Sequence, residues 1–407
     1  MEFYLLEIHA RYPNWNFIAE RINLSFDEVV DGESGNGASL LEGSAFNEGY
    51  RSLSSHSYNM KTNKFIEYQS EPGYYNASKE SIAYYMDPRN YLNEKYIFAF
   101  ESLGYSNNQT SSVISSIISG QSFFNSIYAK NFSDGTGSAS GDIVNAASRI
   151  GISAVHVASR IKQEMGNSLT TSDSRLGGNF TYNGVNRNGY YNFFNIKSSC
   201  KNCSSIYSGY AYEKGWNTPY KGIYGGSEFM YGSYIALNQD TIYYEKFDVS
   251  TTNGHYTHQY MQNLAAPIQE GGIKYRGYVD SFRDYFNTAI TFTIPVYNNM
   301  PEYAVTAPTL GNANNYLSSL KVNNVTVPNF NYNTYNYNVS ISSSASSVNI
   351  TGSSMVSTSS ISGTGTKNIS SNNPSLVVKV KAQNGKYRNY TIHFTRKESK
   401  PTTVVDS

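Results

Sequence analysis

Charge is scarce in this chain. Of its 407 residues, 31 are Lys or Arg and 30 are Asp or Glu, so 15% are charged, against about 25% in ordinary soluble domains. A net charge of +1 supplies no field to gather nucleic acid or an anionic membrane, which takes clustered Lys and Arg. No nucleic-acid partner is expected. No apolar run reaches the roughly 18 residues of a membrane-spanning helix. Histidine is limited to 6 residues, none in a nucleophile-like setting, which argues against a Ser/His/Asp triad. The glycine-rich stretches 135–141 and 222–226 lack the Lys-Ser/Thr ending of a phosphate loop. Residues 1–18 are interrupted by Glu2, Glu7 and Arg11 and do not read as a signal peptide. The chain is therefore either cytoplasmic or exported by a signal outside it, and two cysteines do not decide between these.

What is abundant is tyrosine. With 38 Tyr and 20 Phe the chain is 15% aromatic, which gives surface to bury and argues against long disorder. Such a composition suits stacking on, and hydrogen bonding to, neutral polyhydroxylated ligands. It is equally the plain surface composition of a secreted protein.

Length predicts two or three domains of about 100–200 residues each. Across 78–103, Ile82, Tyr85 and Met86 precede Asp87-Pro88, and Tyr91, Leu92, Tyr96, Ile97, Phe98 and Phe100 follow. This predicts one helix ending at the proline and another starting there. Val113, Ile114, Ile117 and Ile118 predict an amphipathic helix within 106–132. Helices are also expected over 142–149 and 153–165, with Asp142 and Ser153 as N-caps, and over 219–234, entered through Thr218 and Pro219. From about 308 the apolar period becomes two: Leu320 and Val322, then Tyr335 to Ile341, Leu376 to Val380, and Tyr390 to Phe394. Asn384-Gly385 is a hairpin signal. The pattern predicts a β-sandwich of about 90 residues without a catalytic cluster.

One carboxyl stands out. Val155, Ala158 and Ile161 form an apolar helix face that Glu164 continues by one further step of three. A carboxyl there is partly desolvated, and burial favours the protonated form that a general acid needs. The same residue also reads as a solvated glutamate near a helix end. Cys200 and Cys203 fit a local disulfide or two free thiols. A zinc set with His255 and His258 is disfavoured by the gap of about 50 residues, unlike compact zinc modules. No metal and no cofactor are expected.

Around Glu164 the sequence reads Ala158-Ser159-Arg160-Ile161-Lys162-Gln163-Glu164-Met165-Gly166-Asn167. Gly189-Tyr190-Tyr191-Asn192-Phe193-Phe194-Asn195-Ile196, Tyr210-Ala211-Tyr212-Glu213, Gly225-Gly226-Ser227-Glu228-Phe229 and Tyr256-Thr257-His258-Gln259-Tyr260-Met261 follow in order. Together these motifs resemble the catalytic domain of glycoside hydrolase family 73, the peptidoglycan endo-β-N-acetylglucosaminidases of bacterial autolysins. Upstream, Tyr12-Pro13-Asn14-Trp15 and Ala83-Tyr84-Tyr85-Met86-Asp87-Pro88 look like the segment preceding this domain in clostridial-type members. Residues 317–396 are similar to cadherin-like β-sandwich modules of bacterial surface proteins.

The resemblance implies a multidomain α+β chain: an aromatic, helical extension over 1–139, a mostly helical, lysozyme-like catalytic domain over 140–302, the sandwich over 308–398 and a tail over 399–407. It implies cleavage of the β-1,4 bond between N-acetylglucosamine and N-acetylmuramic acid in peptidoglycan glycan strands, by an extracellular, wall-associated protein. Glu164 would be the general acid, with Tyr190, Tyr191, Asn192, Tyr212 and Tyr260 at the substrate. Phe193, Phe194 and Phe229 are expected in the core. The chain departs from the family where it reads Tyr260-Met261-Gln262-Asn263, an amide standing for a carboxylate. Asp173 is the sole acid between Glu164 and Glu213. Glu164 is then the one indispensable carboxyl, with Tyr212 or Tyr260 orienting the substrate acetamide or stabilising the oxocarbenium-like state. The alternative is a wall-glycan binder that keeps the fold without turnover; an amidase is disfavoured.

Overall fold

The computed structural model describes residues 2–249, 254–281, 286–370 and 375–397. The chain is a mixed α+β protein that separates into two compact units, one of Met1–Ala38 with Ala83–Val305, the other of Ser39–Ile82 with Thr306–Ser407. These units cut across the segments expected from sequence: 39–82 belongs with the sandwich, and the rest of the extension belongs with the catalytic stretch.

In the first unit, strand Trp15–Ser25 runs parallel to strand Ile290–Asn298, Trp15 opposite Ile290 and Ile22 opposite Tyr297. Trp15 is buried, with ring centroids 5.5 Å from Phe98 and 5.0 Å from Phe292. The first and last segments of this unit therefore share one aromatic core. Helix Lys79–Met86 stops before Pro88 as expected. No second α-helix follows; Pro88–Tyr91 and Ile97–Phe100 are 3-10 turns. Side chains interrupt the helical ladder there: Asp87 accepts from the Arg89 N–H, and Asn93 from those of Lys95 and Tyr96. The apolar stretch within 106–132 forms two short helices, Ser111–Ile117 and Phe123–Tyr128.

Helix Ala139–Ile150 starts earlier than expected, because Ser138, not Asp142, is its cap. The Asp142 carboxylate instead accepts from the Tyr128 hydroxyl and from Thr136. Gly151, at φ +92, ends the helix in the left-handed conformation that glycine adopts without a Cβ penalty. Helix Pro219–Ser233 is capped by Thr218 with Pro219 in its first turn. It lies close to the 191–194 segment: a Cβ on Gly222 would meet the Tyr191 carbonyl oxygen at 2.5 Å, and one on Gly226 would meet the Phe194 ring at 2.0 Å. Helices Ile206–Glu213, Ile242–Lys246 and Ala266–Ser281 also belong to this unit.

The second unit contains the β-sandwich. Two four-stranded sheets enclose one apolar cluster, with Leu317, Leu320, Val322 and Ile350 from one sheet and Val378, Val380, Tyr390 and Ile392 from the other. Strands Ser375–Lys381 and Tyr387–Arg396 pair antiparallel through a turn in which Gly385 takes φ +86. Residues 39–82 are fastened to the sandwich by polar contacts. Asn47 accepts from the Gly311 N–H at 2.8 Å, Glu48 from Asn312 at 3.0 Å, and the Tyr58 hydroxyl from Asn314 at 3.3 Å.

Candidate active site

Helix Ala154–Met165 carries the site. Ser153 caps it by accepting from the His156 N–H at 3.1 Å, as expected. Val155, Ala158 and Ile161 are fully buried, which anchors the helix by its apolar face. Gly166 closes the helix at φ +60, ψ −164, a combination available to glycine alone. Glu164, in the last turn, is half-buried.

Both carboxylate oxygens of Glu164 have partners. The Asn195 side-chain amide donates to Oε2 at 2.9 Å and to the Glu164 main-chain carbonyl at 3.2 Å. Asn195 is itself held: its Oδ1 accepts from Arg175 at 2.9 Å. Arg175 in turn forms a bidentate pair with Asp173, at 2.9 and 2.8 Å. The hydrogen bond from Arg175 is the first cause holding the Asp173 carboxyl below the usual carboxylate range. Asp173 is thus an anion committed to Arg175. Asn195 sits at φ +53, a conformation asparagine tolerates better than most residues, and Phe194 before it is buried.

On the other side, the Tyr260 hydroxyl lies 3.4 Å from Oε1. Burial first, then nearby carboxylates, raises the Tyr260 pKa, so the phenol stays protonated and is a donor toward Glu164. Its ring is under the Arg160 guanidinium at 4.1 Å and edge-on to Tyr234 at 5.3 Å. Its backbone N–H donates to the Glu245 carbonyl at 2.8 Å.

Arg160 is buried between two carboxylates, Glu245 at 2.9 Å and Glu270 at 3.3 Å, and His156 is 3.4 Å from Glu245. Burial alone would raise the Glu245 carboxyl, yet the surrounding cationic groups hold it below its ordinary value. Burial depresses the His156 imidazole against the pull of Glu245, and beside His156 the Arg160 and Lys274 cations also favour the Glu245 carboxylate. A cavity of about 520 Å³ beside the helix is lined by His156, Arg160, Gln163, Glu270 and Lys274. Glu164 does not line it.

Tyr190 and Tyr212 are half-buried and meet edge-to-face at 5.1 Å, with the Arg187 guanidinium 4.4 Å over Tyr212. None of their hydrogen bonds or ring contacts involves Glu164. Tyr191 and Asn192, expected at the substrate, lie in the interior. Tyr191 is 2% exposed and packs on Phe193 and Phe132. Asn192 is fully buried, donates to the Ile196 and Tyr207 carbonyls and accepts from the Phe194 and Ile196 N–H groups. That leaves Asn192 no free donor, and its role is to shape the turn that delivers Asn195. Phe193 and Phe194 are core residues as expected, whereas Phe229 is 37% exposed. Asn263 is occupied in a turn, accepting from the Ala265 N–H at 3.1 Å just ahead of helix Ala266–Ser281. Cys200 and Cys203 are bonded to each other.

No family model matches the chain. Over 222 residues, 53% of its length, the chain is 29% identical to a β-N-acetylglucosaminidase of Bacillus subtilis (strain 168), of whose length it spans 22%. Among solved structures it is similar to S. aureus glucosaminidase B, at 18% identity and TM-score 0.47, covering 72% of this chain and 97% of that one. It is also similar to a major bifunctional autolysin, at 19% identity and TM-score 0.44, covering 69% and 98%. Over about half its length, this chain is therefore similar to a bacterial β-N-acetylglucosaminidase.

Proposed function

We propose that the chain is a peptidoglycan endo-β-N-acetylglucosaminidase of the bacterial cell wall, cleaving the β-1,4 bond between N-acetylglucosamine and N-acetylmuramic acid with Glu164 as general acid. The observation that carries this reading is the carboxyl of Glu164, half-buried at a helix end and positioned on one oxygen by Asn195 and on the other by Tyr260. A glycosidic acid needs such fixed geometry more than it needs any further group.

A second carboxylate would stand about 5–9.5 Å from Glu164, across the sugar ring, and the two positions that the sequence singles out do not supply one. Asp173 is consumed by Arg175, and Asn263 is an amide closing a turn. The reading is therefore substrate-assisted. Glu164 gives its proton to the bridging oxygen while the C1–O bond breaks, and the electron pair leaves with that oxygen. The acetamide carbonyl oxygen of the same sugar bonds to C1. Water then attacks C1 and passes its proton to Glu164 as the acetamide–C1 bond opens. Tyr260 supplies a neutral hydroxyl beside the acid. Tyr190 offers an aromatic ring and Tyr212, stacked under Arg187, a phenol hydroxyl to the sugar. Glu164→Gln should abolish release of reducing ends from purified walls while leaving the fold intact; near wild-type release by Glu164→Gln, with loss in Asp173→Asn, would contradict the assignment.

A further inference from the structure

The small net charge conceals an uneven distribution. Residues 306–397 contain eight Lys and Arg and no Asp or Glu, leaving 23 Lys and Arg against 30 Asp and Glu in the rest of the chain. The sandwich is thus strongly basic, and four of its eight cations lie in two places within the second unit.

The first is the solvent face of strands Ser375–Lys381 and Tyr387–Arg396. Lys379 and Lys381 point outward in alternation with buried Val378 and Val380, their Nζ atoms 3.9 and 5.6 Å from the ring centroid of Tyr387. Ser362 and Asn389 flank Lys379 in register, and Ser360 flanks Lys381. The second is a cavity of about 390 Å³ into which Arg51, Lys79, Lys386 and Arg388 converge, with Glu80 as the one lining carboxylate. Glu80 is already paired with Lys386. The Arg388 guanidinium is stacked over Tyr316 at 3.9 Å and Tyr335 at 4.8 Å, and its Nε donates to Asn315 at 2.8 Å. Among the described residues no carboxylate pairs with it. A guanidinium held in this way presents a rigid fork of donors, the geometry that grips an oxyanion by two bonds.

We infer that the sandwich binds a phosphodiester-linked polyol polymer of the cell wall, its phosphates held at two separate seats, Arg388 on one face of strand Tyr387–Arg396 and Lys379 with Lys381 on the other. A phosphodiester keeps its charge at every repeat, and the hydroxyl and amide side chains around the lysines match a polyol backbone. A nucleic acid would need open aromatic faces for its bases, and Tyr387, 53% exposed, is covered by Lys379. The location of the polymer rests on the wall-hydrolase reading; the binding chemistry does not.

The test uses the full chain carrying Glu164→Gln, so that walls are not digested, and measures co-sedimentation with isolated walls before and after hydrofluoric acid extraction of their phosphodiester polymers. Retention should fall roughly ten-fold on extraction, and equally in the Lys379→Gln/Lys381→Gln/Lys386→Gln variant, as expected when contacts to a polyanion are lost. Arg388→Lys, which keeps the charge and loses the fork, should lower retention several-fold at unchanged melting temperature. Equal retention on extracted walls, an unaffected triple variant, or duplex DNA bound as tightly as intact walls would overturn the inference. Absence of turnover in the wild-type chain, with retention as described, would sink the hydrolase reading alone.

Discussion

The Asn195 side chain grips Glu164 twice, at the main-chain carbonyl and at Oε2. Arg175, bonded to Oδ1 of the same amide, decides which way that amide faces. Asn195→Gly removes this grip while still permitting the positive φ. Its kcat on soluble glycan fragments should fall by roughly 100-fold, the scale of a misplaced reacting group, with KM and melting temperature little changed. A parallel loss of stability would mean that the residue serves the fold instead.

Tyr260 combines a hydroxyl beside Glu164 with a ring under Arg160. Tyr260→Phe keeps the ring and should lower kcat without lowering the melting temperature. Tyr260→Ala should also cost about 2 kcal/mol of stability, the upper range for a desolvated cation–π contact. Thermal melts and initial rates on the two variants separate the two roles.

Asp173 supplies a pH test. Its folded pKa lies below the ordinary carboxylate value because of Arg175, so its contribution to stability is complete above that value and is lost as pH falls through the depressed one. The melting-temperature gap between wild type and Asp173→Asn should be widest near neutral pH and close as pH falls well below the ordinary carboxylate value.

The buried ion cluster beneath the site is structural. Glu245→Gln removes one of the two carboxylates from Arg160 and should destabilise the protein by about 3 kcal/mol, measured by denaturant unfolding. Activity per folded molecule should fall less than in Asn195→Gly.

Because Trp15 shares a core with Phe98 and Phe292, expression of 140–302 alone should give insoluble or unfolded protein. Soluble, fully active material would show that the aromatic core of the first unit is dispensable.

Much of the site helix was legible in the sequence. Ser153 as a cap, the Val155, Ala158 and Ile161 face and the terminal glycine placed Glu164 half in and half out of water. Asn195 was not legible as a partner, since nothing local ties a turn asparagine to a carboxylate 31 residues away; the cue was its place at the end of an aromatic motif. Tyr191 and Asn192 misled because motif position does not reveal which side of a loop faces inward, and the nearby glycines at 222 and 226 were the sign that a helix would press against that segment. Nothing in the sequence marked Arg160 as buried, as its partners Glu245 and Glu270 come from distant parts of the chain. The parallel pairing of Trp15–Ser25 with Ile290–Asn298 joins segments too far apart for periodicity to reveal. The basic sandwich was visible in the sequence but averaged away in the net charge.

The most direct test of the central claim is mass spectrometry of the fragments that the full chain releases from purified peptidoglycan. The account predicts fragments whose new reducing end is N-acetylglucosamine, and none from Glu164→Gln. Reducing ends of N-acetylmuramic acid, or cleaved stem peptides with intact glycan strands, would contradict it.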